Sequence, residues 1–417
     1  MNKEYFPDGT PISEWFYDIP KPRPEDFGKR YLITDYGIKS DGRVYTAEFQ
    51  SLIDSVSESG GGLIVVPEGI FVSGALFFKT GVNLYIEENG TLMGSGDISD
   101  YPICITRIEG ETCKYFPALI NADGVDGFTV FGKGTVDGNG LKSWKAFWLR
   151  REWNPDCTNK DEQRPRLIYV SDSTDVLISG LRLQNSHFWT NHFYKCSRVK
   201  FTDCNVFSPE MPIGAPSTDA VDIDVCTDVL IKNCYFEVND DAVALKGGKG
   251  PFADGLPENG ANERIIIENC EYGLCHGCLT CGSEAIHNKN VILKDIKVDK
   301  PFNVLCLKMR PDTPQHYEYI RVEGVKGSVR NFISIGSWTQ FFDLKGRKDI
   351  PLSYADNIVF KNCEITCETY FNVTANEERY ILSDFVFENL NIKAEHNGYD
   401  ENAVKNSVVE NVTVTAI

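Results

Sequence analysis

The chain is poor in the features that would send it to a membrane or to nucleic acid. No run of 18 apolar residues occurs, which argues against a transmembrane helix. Basic residues are outnumbered, 42 Lys and Arg against 60 Asp and Glu, for a net charge of −18. A chain that acidic is repelled by nucleic acid and by anionic lipid surfaces, so neither is expected as a partner. The first thirty residues are polar and proline-rich and contain no apolar core of a leader peptide. Asn-Gly dipeptides flanked by short alternating strands are scarce, which argues against a sandwich or propeller built from tight hairpins. The 14 cysteines are even in number, which in a secreted protein would suggest disulfides, but that reading is strongest for short chains, and several recur at one place in a repeat, as small buried side chains would. Together with the missing leader they favour a reducing, cytoplasmic setting; a secreted or periplasmic location is expected if a leader has been trimmed. Cys275, Cys278 and Cys281 form Cys-x-x-Cys-x-x-Cys without a fourth cysteine at cluster spacing, so buried packing is expected of them rather than a metal.

What the chain does have is a phrase that recurs. It reads Asp175-Val176-Leu177-Ile178-Ser179-Gly180-Leu181, then Arg198 to Cys204, Asp228 to Cys234, Arg264 to Cys270, Asn290 to Ile296, Asn357 to Cys363 and Asp384 to Leu390, with a degenerate copy near Ile320. Within each copy the apolar period is two, the mark of a strand. A strand phrase repeated with variable spacers marks a solenoid, in which each turn buries its apolar side against the next. The fold class expected is all-β: a single-stranded right-handed parallel β-helix over residues 31–417, preceded by an N-terminal extension, 1–30. Residues 46–57 place Phe49, Leu52, Ile53 and Val56 on one helical face, with Thr46 as N-cap and Ser59-Gly60-Gly61-Gly62 as the stop. That helix is expected to cap the open end of the solenoid.

Two acidic motifs stand one repeat apart. Ser217-Thr218-Asp219 precedes Ala220-Val221-Asp222-Ile223-Asp224, and Asp240-Asp241 precedes Ala242-Val243-Ala244-Leu245. A lone Asp at a strand edge is ordinarily a turn residue. Three at one-repeat spacing fit glycoside hydrolysis, which needs one carboxylic acid for the leaving oxygen and carboxylate for water or for the anomeric carbon. Crowding also helps, because three neighbouring carboxylates cannot all ionise cheaply and one is left holding a proton.

These motifs, with Asp35-Tyr36-Gly37, Gly60-Gly61-Gly62, Val66-Pro67-Glu68-Gly69, Cys275-His276-Gly277 and Cys306-Leu307-Lys308, resemble glycoside hydrolase family 28, the polygalacturonase-like pectin hydrolases. The family's Asn-Thr-Asp stands here as Ser217-Thr218-Asp219, its Gly-His-Gly as Cys275-His276-Gly277 and its Arg-Ile-Lys as Cys306-Leu307-Lys308; the Asp-Asp pair is unchanged. The resemblance implies Asp240 as general acid, Asp219 and Asp241 as the pair that activates water, and inversion at the anomeric carbon. It also implies His276 as a partner of the acid or of a sugar hydroxyl, and Lys308 as a contact for a uronate carboxylate. For inversion, a separation of about 6.5–9.5 Å between acid and base is expected.

Cys306 replaces the arginine that holds a galacturonate in polygalacturonases, so a galacturonate linked to rhamnose is an alternative substrate. Arg310 is a candidate to compensate. Trp189 and His192, and Lys246 with Lys249 beside the insert Gly247 to Gly260, are further substrate candidates. No cofactor and no metal are expected. The activity expected is hydrolysis of galacturonate-containing pectin chains or oligosaccharides, exo-acting. A rhamnogalacturonan-type galacturonohydrolase, a calcium-dependent pectate lyase and a non-catalytic glycan-binding β-helix are the alternatives.

Overall fold

The computed structural model describes residues 4–162, 164–349 and 351–417. Apart from an antiparallel hairpin, Cys104–Ile108 with Glu111–Tyr115, its strands join one parallel network of 31. The chain is a right-handed parallel β-helix. Each middle coil has three strands. One such coil is Asn191–Tyr194, Ser197–Thr202 and Asn205–Phe207; the next is Val221–Asp224, Thr227–Lys232 and Tyr235–Glu237. Register between them is strict: His192 lies over Asp222, Phe201 over Ile231 and Val206 over Phe236.

The recurring phrase is the second strand of each coil. Alternation sends Val199 and Phe201, Val229 and Ile231, Ile265 and Ile267, Val291 and Leu293 into a continuous core. Both ends of the phrase bend through the left-handed region. The last polar position does so at Asp203, Asn233, Asn269, Asp295, Asn362 and Asn389, and the first does so at Asp175, Arg198, Asp228, Arg264, Asn290 and Asn357. Asn and Asp tolerate this conformation because their side chains can bond locally. Here they also bond along the stack: Asn233 donates to Asp203 at 3.0 Å and Asn269 donates to Asn233 at 2.7 Å. The thiols of Cys204, Cys234 and Cys270 follow these turns into the interior.

An amphipathic helix, α1 (Thr46–Glu58), buries Phe49, Leu52, Ile53 and Val56 on the first coil. Its N-cap is Tyr45 rather than Thr46. The Thr46 hydroxyl is engaged elsewhere, accepting the Gly74 N–H at 2.7 Å. Beyond Ser59, Gly61 (φ +97°) passes so close to Gly81 that a Cβ would lie 2.6 Å from its carbonyl oxygen.

Residues 4–29 form none of the ladders. This segment lies along the outer side of the second-strand sheet, where Phe6, Ile12 and Phe16 cover Leu230, Ile266 and Ile292. Those three occupy outward positions of the phrase, and this cover is why they are apolar. Trp15 extends the cover with its ring under the Lys200 ammonium, 4.5 Å away.

Candidate active site

The first strands of successive coils stack into a sheet whose leading loops carry the acidic motifs. Asp219 precedes Val221–Asp224, Asp240 and Asp241 precede Val243–Leu245, His276 precedes Leu279–Cys281, and Lys308 lies within Asn303–Met309. Strand alternation alone would turn Asp240 and Asp241 to opposite sides. They converge because the chain bends at Asn239 and Asp240 before the strand begins. The Asp241 N–H closes this turn onto the Asp240 Oδ1 at 3.0 Å. Asn239 is itself pinned, its N–H donating to Ser208 Oγ at 3.0 Å.

The result is a compact acidic floor. One carboxylate oxygen from each of Asp219, Asp240 and Asp241 lies within 4.8 Å of the others. This is tighter than the separation of about 6.5–9.5 Å expected for an inverting pair. The cause is the fold, since neighbouring coils are spaced about 4.8 Å apart and the two motifs share a register.

The three acids differ in environment. Asp240 is the accessible one, with its side chain 25 % exposed and its Oδ1 3.3 Å from His276 Nδ1. Despite burial, the charge and hydrogen bond of His276 hold its carboxyl well below the usual range, and the same pairing lifts His276 to about 9. Asp241 is 2 % exposed, and both its oxygens are occupied: Oδ2 takes Lys308 Nζ at 2.6 Å and Oδ1 takes the Thr280 hydroxyl at 2.7 Å. Asp219 is 4 % exposed and meets Lys246 Nζ at 3.3 Å. Burial, then the charge of Asp240, push it up to about 7. Of the three, Asp219 is thus the acid whose pKa is raised, and Asp240 the one whose pKa is lowered.

Lys246 is the cation beneath this floor. Its Nζ lies 3.3–3.5 Å from Asp219, Asp222 and Glu284. Asp222 lies 3.4 Å from it, with no partner of good hydrogen-bond geometry among the described residues, and burial followed by the neighbouring charge of Asp219 pushes its pKa well up. Glu284 is held down to about 2; burial opposes this, and the Lys246 and Lys249 charges outweigh it.

Above the floor is a cavity of about 450 Å³. Its walls come from three insertions. The tip of the 104–115 hairpin supplies Glu109. Helix α2 (Leu141–Trp153) supplies Phe147, Trp148 and Arg151. The segment after the long strand Lys326–Ser337 supplies Trp338 and Gln340. The Trp148 indole N–H donates to the Gly214 carbonyl at 2.8 Å, fixing the helix to the loop that leads to Asp219. Arg151 donates to Asn159 at 2.6 Å, lies over the Phe147 ring and, among the described residues, pairs with no carboxylate.

A model of the glycosyl hydrolases family 28 matches residues 64–416. The chain belongs to that family. Its members are O-glycosyl hydrolases. A probable polygalacturonase of Vitis vinifera is 27% identical over 54% of this chain, a match spanning only 46% of that relative. An endo-polygalacturonase of Pectobacterium parmentieri is 25% identical over 82% of both chains. The exopolygalacturonase structure from Thermotoga maritima superposes over 95% of both chains with a TM-score of 0.73 at 19% identity, which speaks to the fold.

Of the family motifs, Asp219, Asp240, Asp241, His276 and Lys308 meet in the one cavity, and Trp189 and Lys246 line it with them. Alternation does turn Lys308 outward, while Leu305 and Leu307 face the core. Two candidates are not brought there. Arg310 is buried away from the cavity, in a bidentate pair with Asp312 at 2.7 Å, and cannot replace the family's missing arginine. His192 faces outward but is fully covered, its Nδ1 2.6 Å from Arg166 and its Nε2 3.4 Å from Asp224. The glycine-rich insert stands behind the hairpin tip, Lys249 beside Gly110, and only Lys246 at its start reaches the cavity. Cys275, Cys278 and Cys281 are core residues.

Sequence reasoning missed Glu284, Glu109, Arg151, Trp148 and Trp338. Glu284 sits in the short loop between Leu279–Cys281 and His287–Lys294; the other four reside in insertions that follow no repeat. For those four the one available signal was the departure from the repeat itself, in the long spacers before residue 168 and after residue 337.

Proposed function

We propose that this protein is an exo-acting hydrolase of pectic oligosaccharides. Asp240 protonates the leaving oxygen, and Asp219 with Asp241 holds and activates water. The observation that carries this is the unequal exposure of the three acids. Asp240 is the most exposed of the three toward the cavity, where a glycosidic oxygen would lie, while Asp219 and Asp241 line it from more recessed positions that suit a small molecule. Proton supply follows from the same geometry. A carboxylate oxygen of Asp219, the acid with the raised pKa and so the one that holds a proton more readily, is within 4.8 Å of one on Asp240, and His276 Nδ1 lies 3.3 Å from Asp240 on the other side. Activating water at Asp219 requires that it first give up this proton, so transfer to Asp240 arms acid and base together.

The end-cutting mode rests on the walls. A cavity of this volume resembles a small-ligand pocket more than a through-groove. For a uronate, Arg151 is the wall cation best placed to take the carboxylate, since Lys246 and Lys308 are already engaged by acids. A galacturonate linked to galacturonate and one linked to rhamnose are both compatible with this wall.

One observation favours a second reading. The tight carboxylate spacing is closer to that of retaining enzymes, where a carboxylate attacks the sugar. The family likeness supports inversion. Proton NMR of the first-formed anomer decides between them, and a retained anomer overturns the water-activating roles. The broader test is incubation with oligogalacturonides and with rhamnogalacturonan fragments. Saturated monosaccharide released from one end is expected. An unsaturated product would show a lyase, and mid-sized products would show internal cutting. Asp240→Asn is expected to lower kcat by about 10²–10⁴-fold with the fold intact.

A further inference from the structure

A second cluster of ligating side chains lies away from the cavity, on the outer side of the second-strand sheet. His287 and His316 occupy the same register on adjacent coils, and Lys289, Glu318 and Asp356 share another register two positions along. Coil stacking places the two imidazoles face to face, 5.4 Å apart and within 5° of parallel. Their Nε2 atoms point at the carboxylates. His287 Nε2 is 2.8 Å from Glu318 Oε1, and His316 Nε2 is 2.7 Å from Asp356 Oδ2 and 3.9 Å from Glu318 Oε2. One ligand atom each from His287, His316 and Glu318 lies within 4.8 Å of the others.

We propose that His287, His316 and Glu318 form a binding site for a divalent transition metal of the zinc type, with Asp356 completing four-fold coordination. Two imidazole nitrogens with carboxylate oxygens are a ligand set for zinc, cobalt, nickel or copper, whereas calcium and magnesium prefer oxygen alone. Glu318 reaches both rings, Oε1 at 2.8 Å from His287 and Oε2 at 3.9 Å from His316, so it links the His287 and His316–Asp356 hydrogen bonds into one set of donors. The side chains are half-buried, with the rings open enough to admit an ion. On binding, the metal takes the place of the imidazole–carboxylate hydrogen bonds, and any proton on a coordinating nitrogen leaves to solvent. The ligands come from three successive coils, so the ion ties the coils together on the side of the solenoid that the N-terminal segment also touches, through Asp8 with Lys289 at 3.5 Å and Asn290 at 2.8 Å.

The Asp219, Asp240 and Asp241 cluster is the competing site, but it offers only oxygen and already neighbours Lys246 and Lys308. The test is titration of chelator-stripped protein with Zn²⁺ by calorimetry and with Co²⁺ by visible absorption. One equivalent is expected, with a Co²⁺ spectrum showing imidazole ligation. His316→Ala and His287→Ala are each expected to weaken binding by more than the about 10–100-fold typical of changes outside the ligand set. Asp240→Asn is expected to leave it unchanged. Should the alanine variants fold poorly, His316→Gln with unchanged glycosidase activity serves as the check. Absence of binding to the wild type, unchanged binding in the folded histidine variants, or loss of the ion in Asp240→Asn overturns the proposal.

Discussion

Two buried charged clusters sit side by side on the same face of the solenoid and solve opposite problems. Around Asp224, cations are in excess: Arg107 pairs with it at 3.0 Å, both groups almost fully buried, with His192 and Arg166 behind. Arg107 holds that carboxyl below its usual range against the effect of burial. Around Asp219 and Asp222, the latter two residues before Asp224 in the same strand, acids are in excess and one ammonium serves three of them. The first arrangement neutralises a charge and keeps a hairpin in place. The second leaves a charge short of partners and so leaves a proton available. Neighbouring positions in one repeat are thus specialised by what the adjacent insertions bring to them.

Breaking the balanced cluster has the largest expected effect. Asp224→Asn strands the Arg107 guanidinium and is expected to destabilise the fold by about 3–5 kcal/mol, read by chemical denaturation. Asp219→Asn has the opposite sign. A carboxyl whose pKa is raised on folding, from 3.8 to about 7, stabilises fully below pH 3.8 and loses that contribution as pH rises to about 7. The amide removes this loss, so the variant is expected to be more stable than wild type at neutral pH by about 1–2 kcal/mol, and inactive. A lower melting temperature than wild type at pH 7 would show that Asp219 is not a strained acid. The smallest effect is at His276. Its pKa is raised on folding, so its contribution is complete below pH 6.5 and fades through about 9. His276→Gln is expected to flatten the stability profile in that window only, and to shift the alkaline limb of activity.

Legibility followed periodicity. Residues such as Val229, Ile231 and Cys234 announce the solenoid because alternation and the turn are local, repeated facts. The carboxylates were legible for the same reason, being tied to strand starts at one-coil spacing. Arg310 was misplaced because a basic residue beside a strand end can equally find an acid two residues on, and Asp312 is that acid. His192 lies beside the motif in sequence, yet the 104–115 hairpin covers it, a contact between segments about 85 residues apart. Arg151 and Trp338 were invisible because spacers of irregular length carry no period from which a direction can be inferred.

The N-terminal strap has a consequence for the order of events in synthesis. Phe6, Ile12 and Phe16 leave the ribosome before the coils do, but their seat is complete only when Ile292 has been made, and Asp8 waits 282 residues for Asn290. At about 5–20 residues per second this is a delay of roughly 15–55 s. During it, the growing coils must stack with Leu230 and Ile266 still uncovered, which makes closure of the strap a late, long-range step in maturation.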